Sequence, residues 1–296
     1  MSHLRQQNRG SKPSPSTTTH AKLNAMVWDG QGVLFTDIPN SRIMRYVPAT
    51  ETCVEYLQGA NRGNGLAIGP DRDVFCCEMG GSVISRWDEA GSRTVVADNY
   101  EGNRLNSPND LVFDEQDRLW FTDPDYDDQD DLEFEHFYVY HIDLTDGGSE
   151  ITRVVSDTTN PNGLVVSPNG DRLYVAQSEY GEGNARELRA YSLGEDGIAG
   201  DYEVLHTFNP HRGIDGMCLD EEGNIVATAG WMESGPRPMI YVFSPRGRVV
   251  ETHPYPGEAP TNCTFGGTDY QTLYVTGFDG FLYRVETNRT GYLVPP

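Results

Sequence analysis

Short apolar segments dominate the chain, and glycine, aspartate, asparagine and proline separate them. The segments are rich in Val, Ile, Leu, Phe, Tyr and Trp, and a helical periodicity is nearly absent. Segments of this kind are typical of β-strands, and the residues between them are typical of turns. The pattern therefore predicts an all-β protein.

Six parts of the chain share one layout, in which an Asn or Asp precedes an apolar run, a polar turn and a second apolar run. The repeats begin at Asn24, Asn64, Asn109, Asn162, Asp215 and Asn262, so successive starts lie 40, 45, 53, 53 and 47 residues apart. A period of roughly 40 to 50 residues with about four strands per repeat is typical of a β-propeller blade. We therefore predict a six-bladed β-propeller with four-stranded antiparallel blades around a central channel, formed as a single domain by residues 19–296.

The N-terminal segment has a different composition. Residues 1–18 are rich in Ser, Thr and Pro and lack the apolar stretch of a signal peptide, so we interpret them as a disordered tail or an expression remnant. The chain contains no apolar run long enough to span a membrane, and its five cysteines follow neither a metal-binding nor a disulfide spacing. These features predict a soluble, cytoplasmic protein.

Acidic residues outnumber basic ones, with 45 Asp and Glu against 22 Lys and Arg, and the net charge is −23. Affinity for polyanions depends largely on clustered Lys and Arg. The charge therefore argues against nucleic acid and anionic membranes as partners. It is compatible with a metal cation, and it favours a monomer or a weak homodimer.

The first strand of each propeller blade runs beside the channel, so a residue at one position of the repeat reaches the same rim six times. The Asn and Asp residues that open the repeats occupy this position. Their amide and carboxylate oxygens are ligands that a hard cation such as Ca²⁺ takes. Any single Asn-Gly or Asp-Gly pair is better explained as a turn, whereas six in phase favour a functional rim.

The acidic segment 123–135 is predicted to form a long loop on the same face as this rim. A solvated charged loop and a role in gating or ion binding are both compatible with its composition.

Four segments closely resemble the family of gluconolactonases, regucalcins and luciferin-regenerating enzymes. They are Asp37-IPNSRIMRY, Glu101-GNRLNSPNDLVFDEQDRLWFTDPDY, Asn160-PNGLVVSPNGDRLYVA and Gly213-IDGMCLDEEGNIVAT. The similarity extends from about residue 22 to 290 and preserves the order of the blades. The resemblance implies a six-bladed propeller that holds one divalent metal ion at the channel mouth and hydrolyses sugar-acid lactones. It implies Ca²⁺ as the ion, with Zn²⁺, Mn²⁺ and Mg²⁺ as alternatives.

The resemblance also implies roles for individual residues. Asn162 and Asp215 would ligate the metal, and Asn109 would lie at the metal, directly or through water, and beside the substrate. Asn24 stands where the family has a glutamate, which leaves Asp215 as the only anionic residue of the predicted rim. Glu78, at the start of a loop in the second blade, is the nearest carboxylate that could compensate.

These roles predict a metal-dependent lactonase in which the metal is held by Asn24, Asn109, Asn162 and Asp215. The metal would polarise the lactone carbonyl and activate water, and Asp215 is the predicted catalytic residue that takes the proton. The predicted substrate-binding residues are Asn64, Glu78, Ser107, Asn109 and Asn262. Two alternatives stay open: a non-catalytic or weakly metal-binding propeller, because the family glutamate is Asn24, and a phosphotriesterase-like hydrolase.

Overall fold

The computed structural model describes residues 21–126, 132, 134, 137–144, 149–179, 181 and 183–292. Its regular structure is β-strand apart from two short 3₁₀ turns, Ile38–Asn40 and Met79–Gly81. Within these ranges there is no helix with the length and apolar character that a membrane crossing requires. The predicted tail, residues 1–18, and part of the acidic loop 123–135 lie outside the described residues.

The strands form seven antiparallel sheets, of which six correspond to the predicted blades and the seventh is a two-stranded hairpin. Blade 1 contains β1 (Leu23–Trp28), β2 (Val33–Asp37), β3 (Arg42–Val47) and β4 (Thr52–Gln58). Blade 2 contains β5 (Gly63–Ile68), β6 (Val74–Glu78), β7 (Val83–Trp87) and β8 (Arg93–Ala97), and the hairpin of β9 (Asn99–Tyr100) and β10 (Asn103–Arg104) follows it. Blade 3 contains β11 (Leu111–Phe113), β12 (Arg118–Asp123), β13 (Phe137–Asp143) and β14 (Glu150–Thr158).

The second half of the ring repeats this arrangement. Blade 4 contains β15 (Pro161–Val166), β16 (Arg172–Ser178), β17 (Arg186–Leu193) and β18 (Ala199–Thr207). Blade 5 contains β19 (Ile214–Asp220), β20 (Ile225–Ala229), β21 (Met239–Phe243) and β22 (Val249–Pro254). Blade 6 contains β23 (Pro260–Gly266), β24 (Thr272–Gly277) and β25 (Leu282–Glu286), and β26 (Gly291–Tyr292) pairs with β19 of blade 5. The prediction of four-stranded blades is therefore confirmed for blades 1 to 5, whereas blade 6 has three strands among the described residues.

The inner strands β1, β5, β11, β15, β19 and β23 lie side by side in this order, and β23 returns to β1. The closure between the last and first blades includes hydrogen bonds: the Thr261 hydroxyl donates to the Leu23 carbonyl at 2.7 Å, and the Thr276 hydroxyl donates to the Asn24 carbonyl at 3.1 Å. Closure of the ring leaves only short edges exposed. The six-bladed propeller is thus confirmed.

Apolar side chains fill each of the six interfaces between neighbouring blades. At the interface between blades 6 and 1, for example, Leu23 and Met26 pack with Tyr274 and Leu282. The rings of Trp28 and Tyr274 stack at 6.2 Å in the same place. Burial of apolar surface between blades holds the inner strands in position around the channel.

Most inner strands begin with a β-bulge. The pairing slips between Leu23 and Met26 in blade 1, and it slips at the same place in four other blades: Gly63/Leu66, Pro161/Leu164, Ile214/Met217 and Pro260/Cys263. In blade 3 the equivalent residues, Asn109 and Asp110, directly precede β11. A bulge leaves a residue outside the regular alternation and re-aims its side chain, and bulges are frequent beside active sites.

Candidate functional site

The strand register identifies the residues of the rim, which we call the ring. In each blade, the ring residue lies two positions before the residue at which the inner strand pairs regularly with the second strand. The six ring residues are Asn24, Asn64, Asn109, Asn162, Asp215 and Thr261. Five of them are the residues that the repeats predict. The sixth differs by one position, because Asn262 follows the ring residue Thr261. The Asn of the last repeat occurs one residue late, and the sequence pattern alone does not reveal this shift.

The amide and carboxylate residues of the ring are buried and connect neighbouring blades. Asn162 in blade 4 donates a side-chain hydrogen bond to Asp215 in blade 5. The carbonyl of Asn109 in blade 3 accepts a hydrogen bond of 2.7 Å from the backbone N–H of Gly65 in blade 2. The bulges therefore bring residues that lie about 50 positions apart in the chain into one rim.

The residue after each ring position forms a second layer in the channel. It is small in four blades (Ala25, Gly65, Gly163 and Gly216) and polar in the other two (Asp110 and Asn262). A Cβ on Gly216 would overlap the Asn262 amide, and a Cβ on Gly163 would lie 3.4 Å from Asp110 Oδ2. The small residues thus make room for the two polar side chains.

Asp110 and Asn262 belong to opposite blades, and their side chains are hydrogen-bonded across the channel. Sequence reasoning missed Asp110. The available signal was its place in the third repeat, where an Asn-Asp pair replaces the Asn-Gly pair of the second and fourth repeats. Asp110 adds a second buried carboxyl next to Asp215.

Arg212 is a second residue that the repeats do not reveal. Its buried guanidinium contacts the Asp215 carboxylate and also donates to the carbonyls of Pro260 at 2.9 Å and Gly230 at 3.1 Å. Burial raises the pKa of Asp215, while Arg212 and the amide of Asn162 lower it, and the result is about 6. Asp215 is therefore ionised at neutral pH.

Burial also raises the pKa of Asp110, to about 7. The backbone N–H of Leu111 donates to its carboxylate at 3.0 Å and lowers the pKa, whereas the charge of Asp215 raises it. Two carboxyls that share a low-dielectric channel disfavour double ionisation. Near neutral pH, a larger fraction of Asp215 than of Asp110 is therefore ionised.

Comparison with known proteins identifies the family. Residues 24–278 match the model described as the SMP-30/Gluconolactonase/LRE-like region. The chain belongs to this family.

Several relatives cover most of the chain. A gluconolactonase of Zymomonas mobilis is 30% identical, and the alignment covers 90% of this chain and 78% of the relative. A pentonolactonase of Haloferax volcanii is 28% identical over 86% of this chain and 81% of its own. Among solved structures, a gluconolactonase of Xanthomonas campestris superposes with a TM-score of 0.78 at 27% identity, covering 90% of this chain and 86% of that one.

Glu78 makes its side-chain hydrogen bonds with residues outside the ring. Its carboxylate is fully buried and accepts hydrogen bonds from Arg93 Nε and Nη2, both at 2.7 Å, and from Asn61 Nδ2 at 2.9 Å. The prediction that Glu78 supplies a carboxylate to the rim or the substrate is therefore not supported by its position, because the nearby guanidinium already neutralises it. Glu78 is the last residue of β6 and Arg93 is the first residue of β8, so their contact becomes visible only in the folded blade.

Ser107 lies in the loop that leads to the ring residue Asn109. Its backbone N–H donates to Asp123 Oδ1 at 2.9 Å, and the N–H of Asn106 donates to the other oxygen of that carboxylate at 2.9 Å. The Ser107 hydroxyl is buried and has no hydrogen-bond partner among the described residues. A buried hydroxyl without a partner is costly unless a ligand or water pairs with it.

The donor set of the ring fits a hard divalent cation. Asn24, Asn109, Asn162 and Asp215 offer three amide oxygens and one carboxylate, and oxygen ligands of this type suit Ca²⁺ or Mg²⁺. No cluster of three or more His, Cys, Asp or Glu side chains occurs in the described part of the chain. A cation at the ring would therefore be held mainly by amides, and Arg212 beside Asp215 reduces the negative charge available to it.

Proposed function

We propose that this protein is a lactonase that hydrolyses sugar-acid lactones at the ring with the help of one divalent metal ion. Family membership and the lactonase names of the relatives support the reaction class. The observation that carries the proposal is the buried ring itself, in which amide side chains surround Asp215, an ionised carboxylate. This arrangement suits a small, neutral, oxygen-rich substrate.

In this proposal Asn24, Asn109, Asn162 and Asp215 hold the metal ion, which is Ca²⁺ or else Zn²⁺, Mn²⁺ or Mg²⁺. When bound, the ion supplies Lewis-acid polarisation of the lactone carbonyl and lowers the pKa of water.

Asp215 accepts the proton that the attacking water loses and passes it to the ring oxygen that leaves. This role requires an ionised carboxylate, and without a metal ion the pKa of Asp215 is about 6, so the group is ionised at neutral pH. Arg212 orients the carboxylate through its own contacts with the Gly230 and Pro260 carbonyls. The reaction opens the lactone to the hydroxy acid.

Substrate hydroxyls are bound by Asn64, Asn109 and Ser107. Ser107 is the clearest of these, because its buried hydroxyl has no partner in the described structure. Asn262 acts less directly, since its amide pairs with Asp110 and with the backbone N–H of Cys263 at 2.8 Å. Trp231 and Phe278 follow β20 and β24 on the ring face, and both are exposed. They offer apolar surface to one side of a sugar ring.

The test is proton release from D-glucono-1,5-lactone in a weakly buffered indicator assay. Protein treated with chelator is compared with the same protein after addition of Ca²⁺, Zn²⁺ or Mn²⁺, and we expect turnover above the spontaneous rate only with metal. Asp215→Asn should abolish this turnover. The matched control is Asp71→Asn, which makes the same change at an exposed turn on the opposite face and should keep full activity.

Two results would contradict the proposal. If no metal restores turnover on this or other aldonolactones while the protein still binds Ca²⁺, the chain is a binding propeller. If Asp215→Asn retains activity, Asp215 is not the catalytic group.

A further inference from the structure

A cavity of about 170 Å³ lies between blades 4 and 5, and its lining includes Arg212, which contacts the ring residue Asp215. It is far larger than the roughly 15 Å³ that one water molecule requires. Its lining comes from residues 206–212, from Ala229 and Gly230, and from residues 234–241. The lining residues with ionisable or amide groups are His206, Asn209, His211, Arg212, Arg237 and Tyr241. None of the residues described as lining it is acidic.

The cavity exists because blade 5 lacks a side chain that other blades have. In blades 1 to 4, the second-strand residue that lies opposite the start of the inner strand is polar and fully buried: Asp37, Glu78, Asp123 and Gln177. Each of the four hydrogen-bonds a neighbouring loop or side chain, as Gln177 does with the backbone N–H of Thr159 at 3.0 Å. In blade 5 this residue is Ala229, which lines the cavity.

In blade 6 a tyrosine from the neighbouring blade fills the equivalent space. Its residue at this position is Gly277, and the Tyr255 hydroxyl occupies the place where a side chain would lie. Tyr255 follows the outer strand of blade 5, and the equivalent residue beside Ala229 is Phe208, which follows the outer strand of blade 4 and packs into the core cluster with Phe243 and Tyr241. The space above Ala229 therefore stays open.

The positive charge of the lining stands out in a chain with a net charge of −23. Arg237 is exposed and forms no ion pair within the described part of the chain. Arg212 is buried, and its carbonyl contact at Gly230 lies on the cavity wall. Burial lowers the pKa of His206, so that this ring is neutral at neutral pH. Arg237 therefore supplies the positive charge of the cavity, because the Asp215 carboxylate offsets that of Arg212.

Two further side chains, His211 and Asn209, offer hydrogen-bond donors to the cavity. His211 Nδ1 accepts a hydrogen bond of 3.3 Å from the backbone N–H of Gly235, which leaves Nε2 of the ring as a donor. The side-chain oxygen Oδ1 of Asn209 accepts a hydrogen bond from Arg186 Nη1 at 3.5 Å, which leaves the side-chain NH₂ group of Asn209 as a donor. A cavity with guanidinium, imidazole and amide donors and no carboxylate matches the chemistry of an oxyanion.

We propose that this cavity binds a small oxyanion, either a carboxylate or a tetrahedral anion such as phosphate or sulfate. Arg237 and His211 hold it from the solvent side, and Arg212 faces it from the side of the ring. Because Arg212 also contacts Asp215, the cavity is joined to the ring by one side chain. The proposal does not depend on the lactonase activity, and its test measures binding alone.

The test is calorimetric titration of the full chain with sodium phosphate, sulfate and gluconate at constant ionic strength, with chloride as the reference anion. We expect saturable binding of at least one oxyanion. Arg237→Gln should weaken that binding about tenfold or more, because it removes a charge-assisted hydrogen bond. The matched control is Arg246→Gln, which removes the same charge from an exposed turn of the same blade and should change the affinity by less than about twofold.

A second variant tests the cavity itself. Ala229→Asp introduces the carboxylate that blades 1 and 3 carry at this position and should abolish oxyanion binding. Binding of gluconate alone identifies a carboxylate ligand, and binding of phosphate or sulfate identifies a tetrahedral one. Absence of saturable binding for all three anions, or an equal loss in Arg237→Gln and Arg246→Gln, overturns the proposal.

Discussion

Three side chains set the charge of the ring. Asp215 contributes a carboxylate, Arg212 contacts that carboxylate, and Asn24 contributes an uncharged amide. The carboxylate and the guanidinium nearly cancel, so in the proposed metal site the affinity for a cation would depend on the amide oxygens and on the nearby Asp110. Because the number of charged ligands is one determinant of Ca²⁺ affinity, Asn24 is the position at which a single change has the clearest effect.

We predict that Asn24→Glu strengthens Ca²⁺ binding by about tenfold or more, since it adds a second carboxylate to the ring. The control is Asn24→Gln, which adds the same length without the charge and should not strengthen binding. Calorimetric titration with Ca²⁺ measures both. Equal affinities for the two variants would show that residue 24 is not a ligand.

His141 offers a separate test away from the ring. Its ring is almost fully buried against Trp120, at a centroid distance of 5.0 Å, and neither nitrogen has a hydrogen-bond partner among the described residues. Burial lowers the pKa of His141 below its usual value of 6.5, although Asp143 opposes this. The unfolded chain therefore binds a proton at a higher pH than the folded chain does, and stability falls as the pH drops below about 6.5.

We predict that His141→Phe reduces this loss of stability in acid. Urea unfolding at pH 7.5 and pH 5.5 measures it, and the difference between the two pH values should be smaller in the variant than in the natural chain. His253→Gln, at a partly exposed histidine paired with Glu251, serves as the control and should leave the effect of His141 in place. If stability falls by the same amount between pH 7.5 and pH 5.5 in His141→Phe, protonation of His141 does not destabilise the folded protein.

At the level of elements, the bulge at the start of five of the six inner strands explains both the ring and the small residues behind it. The bulge turns the ring side chain towards its neighbours, and it brings the next residue against the following blade. Gly163 shows this most clearly, because a Cβ there would lie 3.0 Å from Gly216 Cα and even closer to the Asp215 carbonyl. Both obstacles are backbone atoms, which cannot move aside as a flexible side chain can.

We predict that Gly163→Ala lowers the free energy of unfolding by about 1–3 kcal/mol, because the added methyl group overpacks the junction of blades 4 and 5. Gly81→Ala is the control, since the nearest atom to its Cβ is Asn61 Nδ2 at an ordinary 3.5 Å. Urea unfolding of both variants checks the prediction. A loss as large at residue 81 as at residue 163 would contradict the explanation by close blade contact.

For the whole molecule, the decisive feature is ring closure between the last and first blades. Blade 6 has three strands among the described residues, so its contact with blade 1 depends on the inner strands and on the core around Leu23 and Tyr274. Thr276 in β24 donates to the carbonyl of Asn24, and its hydroxyl also pairs with Thr261 at 3.0 Å. These bonds join residues from the two ends of the described chain.

We predict that Thr276→Val lowers the free energy of unfolding by about 1–2 kcal/mol, because it leaves buried partners unpaired at the closure. Thr36→Val is the matched control in blade 1. The Thr36 hydroxyl is buried without a hydrogen-bond partner in the described structure, so its loss should be neutral or stabilising. Thermal unfolding of the two variants side by side gives the answer, and equal shifts would argue against a role of Thr276 in closure.

The sequence predicts most of this fold because the relevant signals are local. Apolar runs mark the strands, turn residues mark their ends, and the period of the repeat sets the number of blades. The same repeat predicts five of the six ring residues. It misplaces the sixth, because the register of β23 depends on pairing with β24 and not on the position of Asn262 in a pattern.

By itself, the sequence determined the all-β class, the six blades, the family and the Asn-rich rim. Only the tertiary structure decided which charges meet. It pairs Glu78 with Arg93, places Arg212 on Asp215 and joins Asp110 to Asn262 across the channel. It also opens the cavity beside Ala229. The physical reason is that strand formation follows from neighbouring residues, whereas the charge of a buried site depends on side chains that distant parts of the chain bring together.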